Sequence, residues 1–404
     1  MNRYVIVGGG VAGTTAAQNL RRLDPAAAVT LVGDEPYPYY FRPKLWEFLT
    51  GRLESSALYY RPTDWYAGQG IDLRLSAEGN RLLPRDHAIK LVSGERIAYH
   101  RLLLATGACG FVPDVQGVGL PGVFVLRTLQ DAVAMRDWAA HSRRAVVVGG
   151  GLLGLETAHA LSSLKLNVTV VEIAPHLLPR QLDHEGAKFL QARMESTGLS
   201  FITGARTAAV IGKSAAEGIR LEDGRMIPGE LVLFSAGIVP RIDLARDSGL
   251  SVNRGIIVDE SMQTSERDIF AAGDAAEVGG RTYGLVPPAV EQARTASQNM
   301  TDGEKATYHG TLPSATLQLM DMHLTSLGEA TSEDATLTIH RRRDEKAGIY
   351  QKVVLREGTV IGAILLNDMA SLSSFKRLIA SQKNVSSVQD RLLDPSFDLK
   401  TFAA

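Results

Sequence analysis

At 404 residues the chain is too long for one ordinary core, and a scale of roughly 100 to 200 residues per domain predicts two or three domains. Hydrophobic content of 45% and charged content of 22% are those of globular proteins and exclude disordered, collagen-like and coiled-coil classes. A formal net charge of -1 gives no field for nucleic acid or an anionic membrane, and no apolar run is long enough to predict a membrane span. The single cysteine, Cys109, excludes an intrachain disulfide, a Cys-rich metal site and a two-thiol redox centre.

The first element is YVIVGGGVAGTTAAQNL, Tyr4 to Leu20. A β-branched run, glycines and an Ala- and Leu-rich stretch of helical period are followed by VTLV at Val29 to Val32, which predicts strand, turn, helix, strand. Arg3 before an apolar stretch has the outline of a signal peptide. Three consecutive glycines fit a buried strand entering a phosphate loop better, and a cytoplasmic protein is expected. In this loop Gly8 permits a tight turn, Gly10 lets a pyrophosphate approach the backbone, and Gly13 lets helix and strand pack closely. Asp34 or Glu35, after Gly33, is the candidate acceptor for a ribose hydroxyl.

Residues 96 to 104 read as a strand leading to Ala105-Thr106-Gly107. Cys109 then reads as a buried packing thiol near a domain crossover in FVPDVQGVGLPG. About 140 residues after the first unit comes its second copy, AVVVGGGLLGLETAHAL at Ala145 to Leu161, with VTVV at Val168 to Val171; a repeat of this size predicts two nucleotide-binding domains. Gly149, Gly151 and Gly154 repeat the three glycine roles. Glu172, at the end of VTVV, can accept from both ribose hydroxyls of NAD and would repel the 2′-phosphate of NADP, so NADH is expected over NADPH. Glu156 is read at the start of the second helix, where it either orients the nicotinamide end or complements the helix dipole.

LVLFSAGIVP, residues 231 to 240, forms another strand and turn that includes Gly237, and DIFAAGD stops at Gly273 and Asp274. Beyond about residue 305 the glycine signatures cease. Alternating runs such as TLTIHRR, YQKVVLRE and TVIGAILLND predict an antiparallel sheet closed by a helix in SLSSFKRLIAS. Arg341-Arg342-Arg343, followed by Asp344 and Glu345, reads as a solvated charged turn, the alternative being a dock for an acidic electron carrier. The nine histidines show no metal-ligand spacing, His309 and His323 are read as structural, and no metal site is expected.

Gly8 to Gly13, Ala105-Thr106-Gly107, Gly149 to Gly154 and TSERDIFAAGD at Thr264 to Asp274 occur in the order and spacing of the FAD-dependent pyridine-nucleotide-disulfide oxidoreductase superfamily, which the chain resembles over roughly residues 1 to 300. EPYPYYFRPKLWEFLTG at Glu35 to Gly51, LRTLQDA at Leu126 to Ala132 and GIVPRIDLARDSGL at Gly237 to Leu250 look most like NADH:rubredoxin oxidoreductases and the flavin modules of assimilatory nitrite reductases. The tail from Tyr308 is similar to their small C-terminal domain. The resemblance implies an α/β fold with two interleaved Rossmann-like dinucleotide-binding domains plus a small α+β C-terminal domain. The expected boundaries are 1–108 and 236–304 for a discontinuous FAD-binding domain, 109–235 for an NAD-binding domain and 305–404 for the C-terminal domain.

The same resemblance implies FAD and NADH as cofactors and assigns roles. Asp274 would receive the ribityl and phosphate portion of FAD, and Arg42 would lie over the flavin or its pyrophosphate. Arg127 is a further FAD contact, and the helix opened by PPAVEQAR, Pro287 to Arg294 with Val290, would point its N-terminus at the flavin pyrimidine. Where ferredoxin-type reductases carry a lysine, this chain has Trp46-Glu47, with Lys44 slightly earlier, so Glu47 is a candidate modulator. Pro43 to Leu49 contains none of the cysteines that disulfide reductases, peroxidases or CoA-disulfide reductases use. Without a thiol relay, reduced flavin would itself pass electrons to a small electron-transfer protein such as rubredoxin. The rivals are a nitrite-reductase-like or oxygen-reducing NADH oxidase, and a non-catalytic flavin-bound redox sensor or assembly partner.

Overall fold

The computed structural model describes residues 1–319 and 322–403. The chain divides into two compact units, one of Met1–Phe48, Leu53–Phe111 and Gly237–Thr311, the other of Leu49–Arg52, Val112–Ala236 and Leu312–Ala404. Four helices bear on the sites: α1 (Val11–Leu23), α2 (Leu152–Ser163), α3 (His184–Glu195) and α4 (Val286–Met300).

The first unit is built on a parallel sheet in the order Ile269–Ala271, Arg101–Leu104, Arg3–Val7, Ala28–Val32, Ile71–Arg74. Its central strands are near-continuous Val, Ile and Leu because both faces are covered; Ile6, Leu31, Leu103 and Leu104 are fully buried. Helices α1 and α4 pack together, joined by an Asn19 Nδ2 to Ser297 Oγ hydrogen bond of 2.7 Å. The loops leaving neighbouring strands converge at their carboxyl ends. Gly8 N donates to Val32 O at 2.7 Å and Ala105 N to Val7 O at 2.7 Å.

The second unit repeats this plan with the parallel order Ser200–Ile202, Asn167–Val171, Arg144–Val148, Leu231–Phe234, Val123–Phe124. Gly149 N donates to Val171 O at 2.8 Å, the counterpart of the Gly8 bond. The same unit contains the expected antiparallel sheet, ordered Ser314–Leu319, Met322–Gly328, Thr359–Leu366, Ile349–Arg356, Thr338–Asp344. Helix Leu372–Ser381 closes it by burying Phe375 and Leu378 against Val353 and Leu365.

Arg341-Arg342-Arg343 is no solvated turn: all three lie in the edge strand Thr338–Asp344, paired to Ile349–Arg356. Among the described residues no helix is long and apolar enough to cross a membrane.

Candidate functional site

Both glycine loops sort their glycines by the space a side chain would find. Gly8 has φ +118°, and a Cβ there would lie 2.0 Å from Ala105 O; a Cβ on Gly13 would lie 1.9 Å from Gly8 O. Those positions are closed by packing. A Cβ on Gly10 meets nothing within 4 Å. In the second loop Gly149 (φ +120°) and Gly154 are closed by Ser235 O at 2.3 Å and Gly149 O at 2.1 Å, and Gly151 is open. Gly10 and Gly151 are the N-caps of α1 and α2, neither helix start has a side-chain cap, and neither has an acid in its first turn. An uncapped helix start with open space before it accepts an anion with no steric cost, so the residues present fit a pyrophosphate in each loop.

Around the first loop the expected residues fall into two groups. Glu35 accepts from Arg42 Nη2 at 2.7 Å and from the Tyr40 hydroxyl at 2.6 Å, and these groups line a small cavity with Gly9, Gly33 and Tyr39. Burial pushes the Tyr39 phenol up to about 12. Asp34 instead faces solvent and pairs with Arg241 Nη1 at 2.6 Å. The second group is the turn after the strand Ile269–Ala271. Asp274 lies within one 3-10 turn, Gly273–Ala275, rather than on the strand end. Gly273, at φ +81°, is set against Ala12 of α1, a Cβ there lying 3.0 Å from the Ala12 methyl. Its N–H donates to Oε1 of the fully buried Gln292 at 2.9 Å. Sequence reasoning passed over Gln292 although it lies inside PPAVEQAR; its burial on α4 was the missing information. Helix α4 begins without a side-chain cap, and Val290 is its fifth residue, half-buried.

Ala105 is buried with its carbonyl over Gly8. Thr106 Oγ1 donates to Arg241 O at 2.7 Å, and Gly107 takes φ +71°. The chain then enters a two-stranded antiparallel ribbon, Ala108–Gly110 with Ile238–Pro240, which Gly237 (φ +115°) opens. Cys109 lies on this ribbon and is exposed. The expectation of a buried packing thiol is therefore corrected: a ribbon of two strands leaves one face uncovered.

In the second unit, Glu172 is buried and its carboxylate is used twice, by Gly150 N at 2.6 Å and Ala174 N at 2.8 Å. It therefore shapes the glycine loop. Glu156 is the fifth residue of α2, beyond the first turn; because Gly151 is the cap, the dipole reading of Glu156 is corrected. Arg127 precedes helix Leu129–Ala139 and gives its N–H to Asp131 Oδ2 at 3.0 Å, beside the Thr128 capping box. Glu47 lies in the short helix Leu45–Leu49, 3.9 Å from Lys44 Nζ. Among the described residues no group of three His, Cys, Asp or Glu side chains could hold a metal ion.

Residues 2–298 match the family described as pyridine nucleotide-disulphide oxidoreductase, and residues 313–383 match the rubredoxin NAD+ reductase C-terminal domain. The assimilatory nitrate reductase electron transfer subunit of Bacillus subtilis is 32% identical over 97% of this chain and 51% of its own length. The chain thus spans about half the length of this and the related nitrite reductase chains. NADH-rubredoxin oxidoreductase of Clostridium acetobutylicum is 27% identical over 96% of both chains. The ferredoxin reductase for the CYP199A2 system of Rhodopseudomonas palustris superposes with a TM-score of 0.92 at 29% identity, covering 100% of both chains. Two glycine loops of one design, a match through residue 298 and this superposition agree: the chain belongs to the pyridine nucleotide-disulphide oxidoreductase family, whose members are FAD- and NAD(P)H-dependent oxidoreductases.

Proposed function

We propose that this chain is a cytoplasmic NADH:acceptor oxidoreductase in which segments 1–108 and 236–304 hold FAD, segment 109–235 binds NADH, and the acceptor is a small electron-transfer protein such as rubredoxin. Bound FAD supplies hydride acceptance and single-electron release. The chain's own residues bind and orient. Gly10 and Gly151 leave room for two pyrophosphates at the starts of α1 and α2. Glu35 and Arg42 form the polar pair beside the first loop, and Asp274, in a turn secured by Gln292, is the acceptor for a ribityl hydroxyl. Ala105 to Gly107 and Gly237 shape the neighbouring backbone, Val290 lies in the first turns of α4, and Arg127 is a further FAD contact. Glu172 selects NADH over NADPH, while Glu156 and Glu47 modulate the reaction from outside the chemistry.

The observation that carries this reading is the pair of open glycines in a chain whose one cysteine lies on the ribbon Ala108–Gly110 and not in helix Leu45–Leu49. With no second thiol, electrons have no protein disulfide to enter. Similarity to the rubredoxin reductases of Clostridium acetobutylicum and Pseudomonas putida supports the acceptor class. A second reading, an electron-delivering module for nitrate or nitrite reduction, is favoured by 30% to 33% identity to such proteins along 42% to 51% of their length. The test is anaerobic bleaching of the yellow protein by NADH, followed by addition of rubredoxin. Stoichiometric return of the flavin colour is expected. Slow return with rubredoxin but rapid NADH consumption in air would replace this reading with an oxidase, and no bleaching at all would leave a flavin-bound sensor.

A further inference from the structure

We propose that the C-terminal sheet is a positioning element for the nicotinamide nucleotide, acting through Asp183. The proposal rests on the reading of Gly149 to Gly154 and Glu172 as the NADH site. Asp183 is the N-cap of α3, accepting from Gly186 N at 3.0 Å. Its other partners come from the C-terminal sheet. The Tyr350 hydroxyl lies 2.8 Å from both carboxylate oxygens, Arg341 Nε donates to Oδ2 at 3.1 Å, and Lys352 Nζ lies 3.6 Å away. Lys352 is fully buried and also donates to Glu333 Oε1 at 2.6 Å and to Ser332 O at 3.0 Å. Burial disfavours the charge on Asp183, but hydrogen bonds from Tyr350 and Gly186 together with Lys352 and Arg341 hold its carboxyl below the usual range. The fit is also steric: a Cβ on Gly186 would lie 2.8 Å from Tyr350 Cε1, so α3 sits directly on the tyrosine ring.

The segment that ends at Asp183 begins at Glu172. Its residues make the walls of the second glycine loop. Ala174 N donates to Glu172 Oε1 at 2.8 Å and Leu178 N to Gly150 O at 3.0 Å. Leu177 packs so tightly that a Cβ on Gly150 would lie 2.7 Å from its Cδ2. Leu178, fully buried, takes φ +52°, a left-handed conformation that a leucine adopts only when its surroundings impose it. Leu182 N then donates to Leu178 O at 2.9 Å, one residue before Asp183. The segment is thus tied at one end to Glu172 and Gly150 and at the other to three side chains of the C-terminal sheet. An ion network of this kind fixes the place of the groups it joins, because Asp183 or Lys352 left buried without its partners would be strongly destabilising. Releasing Asp183 lets Leu178 relax and withdraws the backbone that presents Gly150 and Glu172.

The test uses the FAD-loaded protein with Tyr350→Phe and Asp183→Asn, read by calorimetric titration with ADP-ribose and by rapid-mixing flavin reduction against NADH concentration. The Kd for ADP-ribose should rise about fivefold or more, the lower bound of ordinary coupling between sites, with FAD content and the limiting reduction rate unchanged. A role in stability alone would move the melting temperature and leave Kd where it was. Gly151→Val is the companion variant. Wild-type Kd in Tyr350→Phe, with binding lost in Gly151→Val, overturns the inference and leaves the NADH site in place; wild-type Kd in Gly151→Val overturns the site and the inference together. Tyr350→Phe removes one oxygen atom and decides the matter if Asp183→Asn does not fold.

Discussion

Replacing Gly10 and Gly13 by alanine separates cofactor space from packing space within one loop. Gly10 has φ −79° and ψ −165°, extended backbone that alanine adopts freely, and a methyl there meets nothing within 4 Å. In the protein without flavin Gly10→Ala should therefore be close to neutral: reduced freedom of the unfolded chain contributes about 0.4 to 1 kcal/mol, and alanine's poorer capping costs a comparable amount. If FAD binds as proposed, the same methyl stands where the pyrophosphate would approach the first turn of α1. Loss of one charge-assisted bond from a backbone N–H costs on the order of 1.5 to 3 kcal/mol, roughly ten- to 150-fold in Kd. Gly13→Ala puts its methyl 1.9 Å from Gly8 O and 3.2 Å from Ile6 Cγ2, so backbone must move, at a cost on the order of 1 to 3 kcal/mol in stability. Flavin content, quenching of free FAD fluorescence on rebinding, and the melting temperature of flavin-stripped protein resolve the two. Wild-type FAD affinity in Gly10→Ala would refute the placement of the pyrophosphate, whatever Gly13→Ala does.

Glu172→Gln removes the negative charge while keeping the side chain's shape. Unit charges ~4 Å apart repel by about 4 kcal/mol at an effective dielectric of ~20, and screening by salt leaves an expected tenfold or greater loss in the NADH to NADPH ratio of kcat/KM, with an unchanged ratio counting against the assignment. NADH affinity should also fall, because one of the amides of Gly150 and Ala174 loses its acceptor. Cys109→Ser should retain NADH-driven flavin reduction, since serine can repeat the Sγ to Val239 O contact of 3.5 Å; the wild-type thiol, being exposed, should react with a maleimide without denaturant, and a sulfur inert until unfolding would contradict its placement. Asp183 and Glu333 have carboxyls held below the usual range, burial opposing their charge but hydrogen bonds from Tyr350 and Arg341, respectively, with Lys352 beside both, more than compensating. Their stabilisation is therefore complete above the unfolded carboxyl value of about 4 and is lost as pH falls through the folded values. Urea midpoints should drop between neutral pH and pH ~3.5, and Asp183→Asn should shallow that drop; equal drops in both proteins would show that the network does not titrate as a unit.

The parts of the molecule that could be read from the chain are those whose structure is written locally. YVIVGGG and AVVVGGG announce buried parallel strands entering tight turns, and Gly13 and Gly154 are closed by Gly8 and Gly149 of their own loops, whereas Gly8 and Gly149 are closed by Ala105 and Ser235 far along the chain. Where the partner is distant, reading failed in identifiable ways. Cys109 looked like a packing thiol because its exposure depends on pairing with Ile238–Pro240, some 130 positions on, in a ribbon too narrow to cover it. Arg341, followed by acids, looked like part of a solvated turn because Asp183 lies 158 residues earlier. Glu156 was misplaced by less than a turn, since α2 starts from an uncapped glycine that gives no side-chain signal of its own.

Asp183 combines both cases. As the start of DHEG it has the form of an ordinary N-cap, and the structure gives it that bond to Gly186. Nothing near it in sequence indicates that its carboxylate would also collect Tyr350, Arg341 and Lys352 from a sheet beginning 131 positions later at Ser314. A helix cap exposed to water needs one donor. A cap that receives a tyrosine, an arginine and a buried lysine has been taken out of water and must be paired to keep its charge. That difference is why the C-terminal sheet, which contains none of the glycine signatures, bears on the geometry of a glycine loop it does not contain.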